Sequence, residues 1–329
     1  MSKIPVVESK LSAALLAVFV REKYGLSANT ACRMLKAGMN HTYLVSDNEQ
    51  KYIFRVYNYN WRSEVEINEE IRLLNLLKEN QVSVSSPVTD LSNNYILKIE
   101  APEGIRNAVL FTYAEGEKLR ELTESSCFNI GVLMGKIHQL TEGFSIDRIS
   151  YNPETLAELP YLYATKYLTP TTDEMEYVKK SAAYIKDVFE NADESKIRKG
   201  SVHLDIWYDN MSVKNGSEIT IFDFDFCGNG WLLLDVAYFS MQLFHTEPDK
   251  EKLKLKTAEF FKGYETITKL SDEERRLLPV AGLAIWIFYL GVQAQTFITF
   301  SNVFYSDNYA KRFIGMVKSW MAYNEIEIK

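Results

Sequence analysis

The sequence predicts an α+β protein in two lobes: an antiparallel sheet with one long helix over 1–112, then a larger, mainly helical part over 113–329. Three observations predict it. Alternating apolar runs between residues 31 and 57, and again between 94 and 113, read as strands broken by short turns. A helical apolar stripe fills residues 63–79 between them. Beyond Asp235 the apolar spacing is helical nearly to the C-terminus, with short polar breaks.

Composition narrows the function classes. A net charge of −7 argues against a broad basic surface for nucleic acid, and an acidic surface suits a cationic small molecule. Cys32, Cys127 and Cys227 show neither paired nor metal-ligand spacing, which fits a reducing, cytoplasmic compartment. Residues 13–20 are apolar but short and are followed at once by Arg21-Glu22-Lys23, so they read as an amphipathic helix rather than a leader. Residues 277–306 carry no charge, but Pro279, Gly282, Gln293, Gln295 and Asn302 interrupt the run, so a buried helix is expected rather than a membrane span. The sequence sets no oligomeric state.

Taken in order, residues 9–24 form a helix with Leu11, Leu15, Val18 and Phe19 as its apolar stripe. Strands follow at 31–36, 42–46 and 52–57, with turns at Gly38-Met39-Asn40 and Asp47-Asn48. The helix at 63–79 buries Val65, Ile67, Ile71, Leu74 and Leu77. Strands at 94–100 and 107–113 complete the sheet, and 127–140 is a helix. Residues 151–173, aromatic and with three prolines, read as an irregular insertion, either a substrate lid or surface packing. A helix at 174–191 leads into a hairpin of strands 210–213 and 219–222 turning at Asn215-Gly216, a pair suited to a tight hairpin turn. Helices at 235–244, 249–269, 272–300 and 307–324 end the chain.

That hairpin carries polar groups at one end. His203-Leu204-Asp205 precedes it, Asn210 opens it, and Asp223-Phe224-Asp225 follows it. Phosphoryl transfer needs a carboxylate to take the proton of the attacking hydroxyl and two oxygen ligands to hold Mg²⁺ on the phosphates. A hairpin brings Asn210 and Asp223 to one end, which suits a shared metal.

The ordered set His203-x-Asp205, Asn210, Asp223 and Leu234-Asp235-Val236-Ala237 resembles the aminoglycoside phosphotransferase, choline kinase and homoserine kinase family. Its pattern H-G-D-x-x-x-x-N, I-D-F-x and D-L-A reads here HLDIWYDN, FDFD and LDVA, with Leu204 in place of the usual glycine. The resemblance implies a two-lobed protein-kinase-like fold and an ATP- and Mg²⁺-dependent kinase acting on a small-molecule hydroxyl. It assigns Asp205 as catalytic base, Asn210 and Asp223 as metal ligands, and Asp235 as a brace for the catalytic loop. The strand at 52–57 matches the one that carries a phosphate-binding lysine. Arg55 stands in the inward position, with Lys51 as the alternative. Glu70 would partner that cation, with Glu66 as runner-up. AGMNHTYLV resembles the turn that covers the phosphates, and Thr112 and Ala114 match the segment whose backbone meets the adenine. GKIHQL also matches, with His138 a packing or capping residue.

Two features point to a small acceptor. Trp207 stands where protein kinases carry a lysine, and only eleven residues separate Asp223 from Asp235, too few for an activation segment. Trp207, Tyr208 and Trp231, with Asp205, Asp209 and Asp225, offer contacts for an amine-bearing alcohol. A protein Ser/Thr kinase of the same family, and a kinase-fold binding protein without turnover, remain the alternatives.

Overall fold

The computed structural model describes residues 4–299 and 302–328. The chain forms two compact units, Met1–Glu115 and Gly116–Lys329.

The first unit is built on β1 (Ala31–Ala37), β2 (Asn40–Asp47), β3 (Gln50–Tyr57), β4 (Pro87–Val88), β5 (Ile96–Ala101) and β6 (Gly104–Thr112). Every pairing is antiparallel, in the order β1-β2-β3-β6-β4, with β5 also on β6. Helix α1 (Ala13–Tyr24) covers one face, where Leu16 and Val20 meet Tyr43, Val45, Phe54 and Val56. The expected stripe is therefore corrected: Leu15 and Val18 are exposed. Apolar residues run almost all round this helix, so periodicity left its buried side undecided. Helix α2 (Glu64–Glu79) starts at a capping box in which Ser63 and Glu66 satisfy each other's backbone N–H groups. It buries Ile67, Ile71, Leu74 and Leu77, whereas Val65, expected inside, faces solvent. The two-residue strand β4 carried too little pattern to be read from sequence.

The second unit contains helices α3 (Glu124–Thr141), α4 (Leu159–Ala164), α5 (Asp173–Glu190), α6 (Leu233–Thr246), α7 (Lys250–Glu265), α8 (Asp272–Gln295) and α9 (Asp307–Tyr323). Two small antiparallel ribbons lie among them: β7 (Lys199–Val202) with β10 (Gly228–Trp231), and β8 (Met211–Lys214) with β9 (Glu218–Ile221). Neither β7 nor β10 was expected, because each is four residues long and rich in glycine or polar groups.

Helix α8 is the core of this unit, with Leu277–Phe288 buried except for Pro279. It is the one helix among the described residues long and apolar enough to cross a membrane, and 83% of its most apolar window is buried inside the protein. The predicted end of this helix, residue 300, lies outside the described residues. The 151–173 segment, expected to be irregular, is helical over its first half: a π turn at Glu154–Glu158 runs into α4, with Leu156, Ala157, Pro160 and Ala164 buried. Pro160 is the second residue of α4 and follows the π turn directly. It fits because Gly291 of α8 has no Cβ; one built there would stand 2.5 Å from the proline's Cα. Tyr151 donates to the Phe226 carbonyl at 2.5 Å, which ties the start of this segment to the turn after β9. Helices α3 and α7 also meet backbone to backbone, since a Cβ on Gly263 would lie 2.0 Å from the Phe128 carbonyl oxygen.

Candidate active site

The loop after β7 is held by its own histidine. His203 Nδ1 accepts the Asp205 N–H at 3.1 Å, and Nε2 bonds the Phe222 carbonyl at 3.2 Å. These two bonds select the neutral, Nε2-protonated ring, and burial lowers the ring's pKa in the same sense. His203 thus staples the loop to the residue before Asp223. Leu204 stands at φ +60°, the left-handed region where a side chain is strained and glycine is not, and its side chain is fully buried. The leucine keeps a glycine-type backbone because neighbours hold it. Asp235 Oδ1 accepts the Leu204 N–H at 2.6 Å, and the Tyr289 hydroxyl donates to the Leu204 carbonyl at 3.1 Å.

Asp205 is gripped through both carboxylate oxygens. Tyr238 donates to Oδ1 at 2.5 Å, and Asn210 Nδ2 donates to Oδ2 at 2.6 Å and to the Asp205 carbonyl at 3.0 Å. Burial pushes the Asp205 carboxyl up to about 7; the Tyr238 hydroxyl opposes this and the Asp223 charge adds to it. Burial and the Asp205 charge push Tyr238 well above the phenol range, so it stays the donor.

The β8–β9 hairpin pairs Met211 with Ile221, and Phe222 N–H bonds the Asn210 carbonyl at 3.0 Å. Asn210 and Asp223 therefore stand at the same end of the hairpin, as its spacing suggested. Asp223 is itself left-handed at φ +67°, the start of a short turn over Phe224–Phe226. Asn210 uses Nδ2 toward Asp205, which leaves its Oδ1 as a ligand oxygen at the end of the hairpin where Asp223 also stands. Hard oxygens of this kind suit Mg²⁺ or Ca²⁺. Among the described residues no three His, Cys, Asp or Glu side chains could hold a metal by themselves. Two protein oxygens fit a cation that takes its remaining ligands from phosphates and water.

Behind the loop runs a buried polar chain that sequence reasoning saw only in part. Asp235 Oδ2 accepts the His203 N–H at 2.9 Å and meets His138 Nε2 at 3.2 Å. His138 Nδ1 bonds the Tyr264 hydroxyl at 2.7 Å, which is 3.2 Å from Arg198, itself paired with Glu274 at 3.0 Å. Asp235, His138 and Glu274 are fully buried, so each polar atom in this chain depends on the next for its partner.

In the first unit, strand alternation puts Arg55 and Tyr57 on the α2 face of β3. Arg55 pairs with Glu70 at 2.8 Å and Tyr57 donates to the other Glu70 oxygen at 3.1 Å. Glu70 is buried, and the guanidinium lies 5.0 Å from the Phe111 ring centroid. Glu66 is occupied by the capping box and by Arg62 at 3.3 Å, and Lys51 lies over Tyr113. Thr112 ends β6; its N–H goes to Ser86 O at 2.8 Å and its carbonyl accepts Ser85 Oγ at 2.5 Å. A carbonyl has a second lone pair, so Thr112 can still accept another bond, whereas its N–H is committed. Ala114 follows two residues on and is buried. The Gly38-Met39 turn is tied down by Asn58, whose amide donates to the Gly38 carbonyl at 3.1 Å.

The residues suggested for an amine-bearing acceptor do not assemble. Trp231 pairs with Lys199, at the end of the β7–β10 ribbon away from His203, and packs on Phe189 with ring centroids 4.6 Å apart. Asp209 is ion-paired with Lys118 at 2.9 Å, and Asp225 is buried with its carbonyl held by Arg148. Trp207 and Tyr208 do stay together beside Asp205, in edge contact at 4.8 Å. Tyr238 and Tyr289 were missed because a tyrosine within an apolar helix reads as core.

An antiparallel sheet with its helices followed by a mainly helical unit is the architecture of the protein-kinase-like phosphotransferases. A family model described as "Phosphotransferase enzyme family" matches residues 33–270, and the chain belongs to that family. An uncharacterized protein of Synechocystis sp. is 28% identical, with 89% of this chain and 81% of that protein covered. A homoserine kinase of Polaromonas naphthalenivorans is 23% identical over 67% of this chain and 71% of its own length. An amicoumacin kinase solved with AMP-PNP and Ca²⁺ superposes with a TM-score of 0.75 at 19% identity, covering 93% of this chain and 92% of its own. A microcompartment-associated aminopropanol kinase gives 0.73 at 19% identity, covering 96% of this chain and 99% of its own.

Proposed function

We propose that this protein transfers the γ-phosphate of ATP, as its Mg²⁺ complex, to a hydroxyl of a small-molecule acceptor. The observation that carries the reading is Asp205, held through both oxygens, one of them by Asn210, which shares its end of the hairpin with Asp223. In this reading Asp205 takes the acceptor's hydroxyl proton as its oxygen bonds to the γ-phosphorus and the bridging oxygen leaves with ADP. Asn210 and Asp223 would hold the cation, which would supply positive charge to the phosphates. Arg55 contacts phosphate oxygens while Glu70 fixes its guanidinium. The adenine edge needs one acceptor and one donor, and the Thr112 carbonyl and the Ala114 N–H supply them. Residues 1–112 act as the nucleotide-binding lobe and 113–329 as the catalytic and acceptor-binding lobe. A cationic acceptor would find Asp205 and the Trp207–Tyr208 pair, since Asp209 and Asp225 are engaged elsewhere. Cys32, Cys127 and Cys227 form no disulfide, which suits a cytoplasmic setting.

Leu204 and Arg55 are the two departures that favour a kinase-like protein without turnover. Both keep the geometry the reaction needs: Leu204 retains the left-handed backbone, and Arg55 retains a buried acidic partner. The test is label transfer from radiolabelled Mg·ATP to L-homoserine, 1-amino-2-propanol, choline, spectinomycin, amicoumacin and casein. Transfer to one of the small molecules, lowered about 10²–10⁴-fold in Asp205→Asn, supports the reading; that loss is about 3–5 kcal/mol of transition-state stabilisation. Transfer to casein alone, or to nothing, overturns it.

A further inference from the structure

Two tyrosine hydroxyls from different helices converge on consecutive residues of the candidate catalytic loop. Tyr238 lies one turn beyond Asp235 on α6 and reaches the Asp205 carboxylate at 2.5 Å. Tyr289 lies on α8 and reaches the Leu204 carbonyl at 3.1 Å. Their rings are 5.6 Å apart, and Tyr289 also packs on Phe226 and Phe288. Phenylalanine would fill the same space. A hydroxyl costs free energy in such surroundings unless it is bonded, so each of these is satisfied by the loop it touches.

The loop needs that support. Leu204 occupies a backbone region that is strained for a leucine, and the strain relaxes unless neighbours on both sides oppose it. Asp235 holds its N–H, and Tyr289 holds its carbonyl. Asp205 has a short side chain with two rotatable bonds, and Asn210 fixes only one of its oxygens. A carboxylate tied at one oxygen can still swing about that tie.

We propose that Tyr238 and Tyr289 are positioning residues. Tyr238 locks the Asp205 carboxylate in the orientation that meets the incoming hydroxyl, and Tyr289 holds the strained Leu204 peptide that aims it. This rests on Asp205 being the base. Each carboxylate oxygen has two lone pairs, so one remains for the acceptor's proton while Tyr238 and Asn210 keep their bonds.

The test compares Tyr238→Phe, Tyr289→Phe, Asp205→Asn and the Tyr238→Phe/Asp205→Asn double variant. Rates are measured with whichever of the five small acceptors above is turned over, or as slow hydrolysis of Mg·ATP if none is. Tyr238→Phe is expected to lower kcat about 10–100-fold, the loss of one charge-assisted hydrogen bond, with KM for ATP within about twofold of the parent. Tyr289→Phe lowers it about 3–10-fold, as for a neutral hydrogen bond. In the Asp205→Asn background Tyr238→Phe adds no further loss, because the group it positions is already gone. A role confined to folding predicts the opposite, an equal loss in both backgrounds with a lower thermal midpoint. That result, or a Tyr238→Phe rate within about twofold of the parent, overturns the inference while Asp205→Asn still collapses. A parental rate for Asp205→Asn instead overturns the base assignment itself. Should Tyr238→Phe not fold, Tyr289→Phe carries the same comparison through the Leu204 carbonyl, and a near-parental rate there overturns the inference.

Discussion

Asp235→Asn is the sharpest probe of the buried chain behind the loop. The parent carboxylate accepts Leu204 N–H at 2.6 Å on one oxygen, and His203 N–H at 2.9 Å and His138 Nε2 at 3.2 Å on the other. Asparagine has one oxygen. Its best placement keeps His203 and His138 and turns the NH₂ toward the Leu204 N–H, donor against donor. The variant thus loses one charge-assisted bond, worth about 1.5–3 kcal/mol, and strands a buried N–H at about 1–3 kcal/mol; the remaining bonds also weaken. We expect a loss near 3–5 kcal/mol, the range for breaking a buried charged network. Trp207, Trp231, Trp286 and Trp320 all lie in the second unit, so urea unfolding followed by tryptophan fluorescence reports mainly on it. Asp209→Asn is the control. Its ion pair with Lys118 is half exposed, so it should cost no more than about 1 kcal/mol. A loss below about 1 kcal/mol in Asp235→Asn, at an unchanged urea slope, would refute the reasoning.

Three further outcomes follow from the structure. Asp223→Asn keeps a residue that tolerates φ +67° but removes the charge on a candidate metal ligand. Stabilisation by saturating Mg·ATP, about 2.7 kcal/mol at a hundredfold excess over Kd, should fall by more than half, and an unchanged thermal shift would remove Asp223 from the metal site. Gly263→Ala should destabilise by roughly 1–3 kcal/mol because its Cβ would meet the Phe128 carbonyl at 2.0 Å. Gly315→Ala, with nothing within 4 Å on α9, should stabilise by about 0.5–1 kcal/mol; the reverse order in thermal melts would contradict the packing described for α3 and α7.

The parts of this protein that the sequence by itself determined are those written in short-range spacing. The β8–β9 hairpin follows from two apolar runs around Asn215-Gly216, and it carries Asn210 and Asp223 to one end without help from the rest of the chain. Helix α2 follows from its period and its capping box, and the alternation of β3 placed Arg55 on the face where Glu70 waits. Tertiary structure decided what depends on residues far apart in the chain. Leu204 gave no sign that it would keep a glycine's backbone, because the groups that hold it, Asp235 and Tyr289, are 31 and 85 residues away. The 151–173 segment looked irregular from its prolines, yet Glu154–Ala164 is helical and packs where Gly291 of α8 leaves room for Pro160. Trp231 looked close to the chemistry along the chain, but the pairing of β10 with β7 carries it to the other end of the ribbon. Local pattern fixes which side chains share a face of their own element. Its partner depends on how elements pack, and that is settled only when burial must satisfy every polar group at once.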